Sequence, residues 1–115
     1  MTLAAHFRKR WSNAQPVTRH GIKHPSKLEA RVYEELRLVA ISTGARLYRH
    51  VRFPLLNLAP DAHGGASYFT PDFVLAGPGA ELRVIDAKGR ESPEWRRGAL
   101  AFEAEYGIQV EVRRR

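Results

Sequence analysis

Thr70-Pro71-Asp72-Phe73-Val74-Leu75-Ala76-Gly77-Pro78-Gly79-Ala80-Glu81-Leu82-Arg83-Val84-Ile85-Asp86-Ala87-Lys88-Gly89 is the stretch on which the fold turns. Two runs, Tyr68 to Ala76 and Glu81 to Lys88, flank Gly77-Pro78-Gly79, so the segment reads as an antiparallel hairpin. Opposed residues in such a pair have a constant index sum. With Gly77 opposite Glu81 that sum is 158, and Asp72 stands across from Asp86. Any even sum keeps the two on one face, and the period of two puts Lys88 beside Asp86. Facing carboxylates repel, and a cation between them removes the repulsion. Hard oxygen ligands of this kind select Mg²⁺ or Mn²⁺. Val84 and Ile85 mark the second run as a central buried strand, where charged groups need a function or a partner. The plainer readings are a turn acid after Pro71 and a solvated Asp86/Lys88 pair. The chain holds 15 arginines and four lysines, which makes a lysine at 88 informative.

Upstream, Leu28, Val32, Leu36, Val39 and Ala40 recur at helical spacing. Pro25 and Ser26 open this helix, Ser26 with Glu29 forms a capping-box pattern, and Gly44 is placed to end it. Glu29 therefore has a capping role open to it as well as a chemical one. Val17 to His24 reads as a small hairpin around Gly21. Leu47, Val51, Phe53 and Leu55 alternate as one strand, which Pro54 places near an edge or a bulge. Asp61 to Ala66 reads as a loop. Downstream, Ser92-Pro93-Glu94 starts a second helix with Trp95, Ala99, Phe102 and Tyr106 on its apolar face and Gly107 at its end. Ile108, Val110 and Val112 form a last strand, parallel to the one before the helix. The order is helix, three strands, helix, strand: an α/β (α+β) chain with a small mixed sheet flanked by helices.

The 115 residues read as one domain, with residues 1–16 a flexible basic arm. The net charge of +7 is concentrated at the ends. Residues 1–28 carry six basic groups and no acid, and Arg113, Arg114 and Arg115 close the chain, while the body is near neutral. A polyanion is the expected partner, and nucleic acid fits best. The expected contacts are Arg8, Lys9, Arg10, Arg19, Lys23, Lys27, Arg90, Arg96 and Arg97. No apolar run approaches membrane-spanning length, and none near the N-terminus suits a secretory signal. With no cysteine there is no thiol nucleophile, disulfide or Cys-ligated zinc, and a cytoplasmic setting is expected. The five histidines read as surface or phosphate-contacting residues, and Trp95 reads as a packing residue.

Pro71-Asp72, followed 14 residues later by Asp86-Ala87-Lys88, together with Glu29 on the first helix, resembles the PD-(D/E)XK nuclease superfamily. Ser26-Lys27-Leu28-Glu29-Ala30, Asp72-Phe73 and Ile85-Asp86-Ala87-Lys88-Gly89 look like a group of small phage-encoded nucleases, and the layout is similar to compact Holliday junction resolvases. The resemblance covers about residues 17–112. It implies an αβββαβ restriction-endonuclease-like core and a metal-dependent DNA endonuclease, acting on structured DNA such as Holliday junctions. It further implies that Asp72, Asp86 and the Ala87 backbone carbonyl bind Mg²⁺ or Mn²⁺. Glu29 would hold a ligating water or a second metal, and Lys88 would orient the attacking water or stabilise charge on the phosphate. Glu29, Asp72, Asp86 and Lys88 are thus the expected catalytic set, with no small-molecule cofactor and a homodimer if both strands are cut. Where relatives often carry a lysine on the second helix, this chain has Arg96-Arg97-Gly98. Two other readings stand beside this one: a non-catalytic nucleic-acid-binding module on the same fold, and a small basic phage structural or assembly protein, which needs no carboxylate cluster.

Overall fold

A computed structural model of the chain describes residues 17–19, 22–24, 26–58, 65, 67–78 and 80–114. The basic arm with Arg8, Lys9 and Arg10, most of the 61–66 loop and Arg115 lie outside the described residues, as do the side chains of Arg19 and Lys23. Strands β1 (Val17–Arg19) and β2 (Ile22–His24) pair as the expected antiparallel hairpin. Helix α1 (Lys27–Thr43) follows, with Ser26 Oγ accepting from the Glu29 amide at 3.1 Å and Gly44 ending it at φ 76°. That left-handed conformation strains any residue with a Cβ.

The remaining elements are β3 (Arg46–Arg49), β4 (Phe53–Pro54), β5 (Tyr68–Phe69), β6 (Phe73–Gly77), β7 (Ala80–Ala87), α2 (Pro93–Tyr106) and β8 (Val110–Arg113). The main sheet has the order β3-β6-β7-β8. Its first two pairings are antiparallel, and β7 with β8 is parallel, as a strand–helix–strand crossover requires. Helix α2 carries its own local signals, a Ser92 cap accepting from the Trp95 amide, Pro93 in the first turn and Gly107 at the end.

Side-chain alternation along β6 and β7 builds two cores. Phe73, Leu75 and Ile85 pack against Leu28, Val32, Tyr33 and Leu36 of α1. Val74 and Val84 point to the other face and pack against Ala99 and Phe102 of α2, with Val110. The architecture is α+β, a mixed sheet with a helix against each face. Strands covered on both faces are continuous apolar runs, as Phe73-Val74-Leu75 and Val84-Ile85 are.

The hairpin register agrees with expectation, but its anchor differs. The sum of 158 holds from Phe73↔Ile85 to Leu75↔Arg83, while a bulge pairs Gly77 with Ala80 rather than Glu81. Gly77 is required there, because a Cβ would sit 2.6 Å from the Ala45 Cα.

Two strands expected to be continuous, 47–55 and 68–76, are each interrupted. The interruptions face each other. β3 pairs β6, and β4 pairs β5, with one shared index sum of 122, so a single ladder runs from Arg46↔Ala76 to Pro54↔Tyr68 with a gap between. Pro71 has no N–H to give to this gap, and His50 leaves extended conformation at φ 54°. The gap also exchanges faces. Phe73 packs beneath α1, whereas Phe69 and Leu55, at the same parity, pack with Phe102 of α2. Among the described residues no helix is long and apolar enough to cross a membrane.

Candidate metal centre

The gap in the ladder is where chemistry-bearing side chains meet. Glu29 comes from the first turn of α1, whose burying face turns it inward to 5% side-chain exposure. His50 follows the last residue of β3, and Asp72 precedes the first residue of β6. One ligand atom from each of Glu29, His50 and Asp72 lies within 4.8 Å of the others. His50 Nε2 is 3.5 Å from Glu29 Oε1, and the imidazole is about half exposed, so the cluster opens to solvent on the histidine side.

Asp72 is held on every side. Its carbonyl accepts from the His50 amide at 3.2 Å, its amide donates to Asp86 Oδ1 at 3.0 Å, and its Oδ2 accepts from the Ala87 amide at 2.8 Å. Asp86 lies directly behind it, 1% exposed. The Trp95 indole N–H donates to Asp86 Oδ2 at 2.6 Å. Lys88 stands on the same side, its Nζ 5.6 Å from the Trp95 ring centroid.

Electrostatics follow from this crowding. Burial, then the hydrogen bond to Asp72 and the charge of Asp72, push the Asp86 carboxyl up to about 8, against the opposing pull of Lys88 and the Trp95 N–H. The His50 pKa is raised, chiefly by its hydrogen bond to Glu29; the charges of Glu29 and Asp72 add to this, while burial and Arg49 oppose it. The Glu29 and Asp86 carboxyls are buried and the imidazole is half-exposed, so acidic groups crowd a site that solvent reaches from one side, a setting in which a bound cation is rewarded. No family model, curated protein or solved structure matches the chain.

The expected site residues divide by position. Glu29 and Asp72 share the three-residue cluster. Asp86 and Lys88 adjoin it on the α2 side, and Ala87 meets Asp72 through its amide. His50 joins the cluster although the histidines read as surface or phosphate-contacting groups. The available signal was its index sum of 122 with Asp72, but the long connection between Pro54 and Tyr68 hides that register. Trp95 packs on Phe69, as expected, and also fixes Asp86. One imidazole nitrogen and two carboxylates suit a divalent cation that accepts both atom types, such as Mn²⁺, better than the all-oxygen set expected for Mg²⁺.

Lys27, Arg90, Arg96 and Arg97 are exposed, as nucleic-acid contacts need to be. Arg113 and Arg114 are engaged in ion pairs. Arg113 lies 3.4 Å from Glu35 and 4.0 Å from Glu111, and Arg114 pairs with Glu91.

Proposed function

We propose that this chain is a metal-dependent nuclease that hydrolyses phosphodiester bonds in DNA, on a core resembling the PD-(D/E)XK superfamily. The observation that carries the reading is the meeting of Glu29, His50 and Asp72 within 4.8 Å, with Asp86 hydrogen-bonded behind Asp72. A solvent-open cluster of two carboxylates and an imidazole, backed by a third carboxylate, offers one ligand atom from each of three residues to a single divalent cation. In this reading Glu29, His50 and Asp72 hold the cation.

When bound, the cation supplies a water of lowered pKa and polarises the scissile phosphate. The protein's own groups do the rest. Asp86 and the Ala87 amide keep Asp72 in one rotamer, and Trp95 keeps Asp86 in place. The Lys88 ammonium, held near the Trp95 face, balances negative charge that grows on the phosphate. Exposed Lys27, Arg90, Arg96 and Arg97 supply contacts to the phosphate backbone.

The test is cleavage of supercoiled plasmid and of a four-way junction in Mg²⁺, in Mn²⁺ and in chelator, with wild type and Asp72→Asn purified identically. Nicking or linearisation that needs metal and disappears in Asp72→Asn supports the reading. Metal-independent cutting, or equal cutting by both proteins, overturns it, as does no cutting in either metal.

A further inference from the structure

Beside the metal cluster, Arg52 and Tyr68 form an exposed stack. The Arg52 guanidinium carbon lies 4.0 Å from the Tyr68 ring centroid, and Tyr68 is 43% exposed. Arg52 immediately precedes β4, at the edge of the ladder gap, and Tyr68 opens β5, the strand paired with β4. Arg52 is two residues past His50, and Tyr68 is four before Asp72. Two residues of chain reach at most about 7 Å, which keeps the Arg52 backbone close to His50.

The ribbon that carries the stack is anchored on its other face. Phe53 packs edge-on against Phe102 at 4.9 Å and Tyr106 at 5.4 Å, and Phe69 packs on Phe102 at 5.1 Å and Trp95 at 6.4 Å. The Tyr106 hydroxyl donates to the Pro54 carbonyl at 2.7 Å. Two strand residues with so much inner-face contact form a stiff support, and alternation leaves Arg52 and Tyr68 on the outer face.

A planar cation on an aromatic ring, held open to solvent on a stiff ribbon, matches one ligand chemistry well. Nucleobases stack on aromatic rings and on guanidinium planes, whatever their sequence. In an intact duplex each base face is covered by its neighbours, so only an unpaired base can take the position. We infer that the Arg52–Tyr68 stack receives an unpaired nucleobase next to the phosphate held at the metal cluster, and that the substrate is a nucleic acid with unpaired nucleotides rather than intact duplex. This inference rests on the nuclease reading for its neighbouring phosphate, but base binding does not require cleavage.

The experiment is fluorescence anisotropy in chelator with three labelled DNA oligonucleotides: a fully paired duplex, the same duplex with one unpaired nucleotide, and that second form with an abasic residue at the unpaired position. Wild type is expected to bind the unpaired-base form about tenfold tighter than the abasic form. Tyr68→Leu and Arg52→Gln are expected to bring that ratio close to one, and Tyr68→Phe to retain it. A wild-type ratio near one, or a ratio that survives both Tyr68→Leu and Arg52→Gln, overturns the inference. Failure to bind any of the three forms overturns it together with the nuclease reading. Plasmid cleavage in Mn²⁺ separates the two. Cutting without base preference removes the stack alone, and base preference without cutting in either metal removes the nuclease alone.

Discussion

The His50 amide donates to the Asp72 carbonyl at 3.2 Å, and this bond spans the gap in a ladder that is otherwise in register on both sides. It holds His50 in a left-handed conformation at φ 54°, which disfavours residues with a Cβ. Strained residues of this kind cluster at functional sites, which makes His50 the first residue of the cluster to test.

Replacing His50 separates backbone strain from ligand loss. His50→Gly is expected to be more stable than His50→Ala by about 1 kcal/mol, because glycine adopts φ 54° freely. Both are expected to lose Mn²⁺ affinity equally, by about tenfold or more. Thermal melts in chelator and calorimetric Mn²⁺ titrations check the two halves. A metal affinity unchanged in both variants removes His50 from the ligand set.

The pH dependence has a definite sign. Asp86 rises from an ordinary 3.8 to about 8, and His50 rises above its ordinary 6.5, so the native protein holds protons that the unfolded chain releases. The stability from both groups is therefore complete at low pH. It is lost as pH rises, over about 4 to 8 for Asp86 and from above 6.5 for His50. A cation displaces these protons, so its stabilising effect should grow over the same window. Melting temperatures at pH 5, 6, 7 and 8, in chelator and in Mn²⁺, should diverge as pH rises. Parallel curves would contradict the assignment.

Trp95→Phe removes one donor and keeps a ring for Phe69 to pack against. The Trp95 N–H opposes the rise in the Asp86 pKa, so its loss should raise that pKa further. The pH midpoint of Mn²⁺ binding should then move alkaline, measured by titration calorimetry at several pH values. A variant with weaker binding and an unmoved midpoint would show that Trp95 acts through packing alone.

Asp86→Asn and Lys88→Ala are expected to slow cleavage by about 10²-fold or more while DNA affinity in chelator stays near wild type. Single-turnover cleavage and anisotropy measure the two quantities. Normal cleavage by Asp86→Asn would place the chemistry elsewhere.

Phe102 is fully buried, and its ring meets Phe53, Phe69 and Tyr106. Phe102→Ala should cost about 3–5 kcal/mol in denaturant unfolding. Because these rings support the β4–β5 ribbon, the variant that still folds should also lose preference for an unpaired base.

Much of the scaffold was legible because its signals are local. Ser26, Gly44, Ser92, Pro93 and Gly107 each act within one turn of a helix end, and all of them bound the helices where expected. The opposition of Asp72 and Asp86 was legible because a short turn ties two strands of clear period, and the sum of 158 survives the bulge at Gly77. The breaks at His50–Arg52 and Thr70–Asp72 were not legible. Alternation continues through them in the sequence, and only the turn of the backbone at His50 and the missing N–H of Pro71 interrupt pairing.

By itself, then, the sequence determined both helices with their ends, and that two aspartates and a lysine share the end of one hairpin, since periods of 3.6 and 2 and the chemistry of caps and turns need only near neighbours. The tertiary structure alone decided that His50 completes the cluster with Glu29 and Asp72, that the Trp95 N–H holds Asp86, and that Arg52 stacks on Tyr68. It also decided that Arg113 spends its charge on Glu35 and Glu111. Apart from the neighbours Arg113 and Glu111, each of these contacts joins residues on different elements. Their meeting depends on a register across a long connection, or on a helix settling against a sheet face, and neither is encoded in any short stretch of chain.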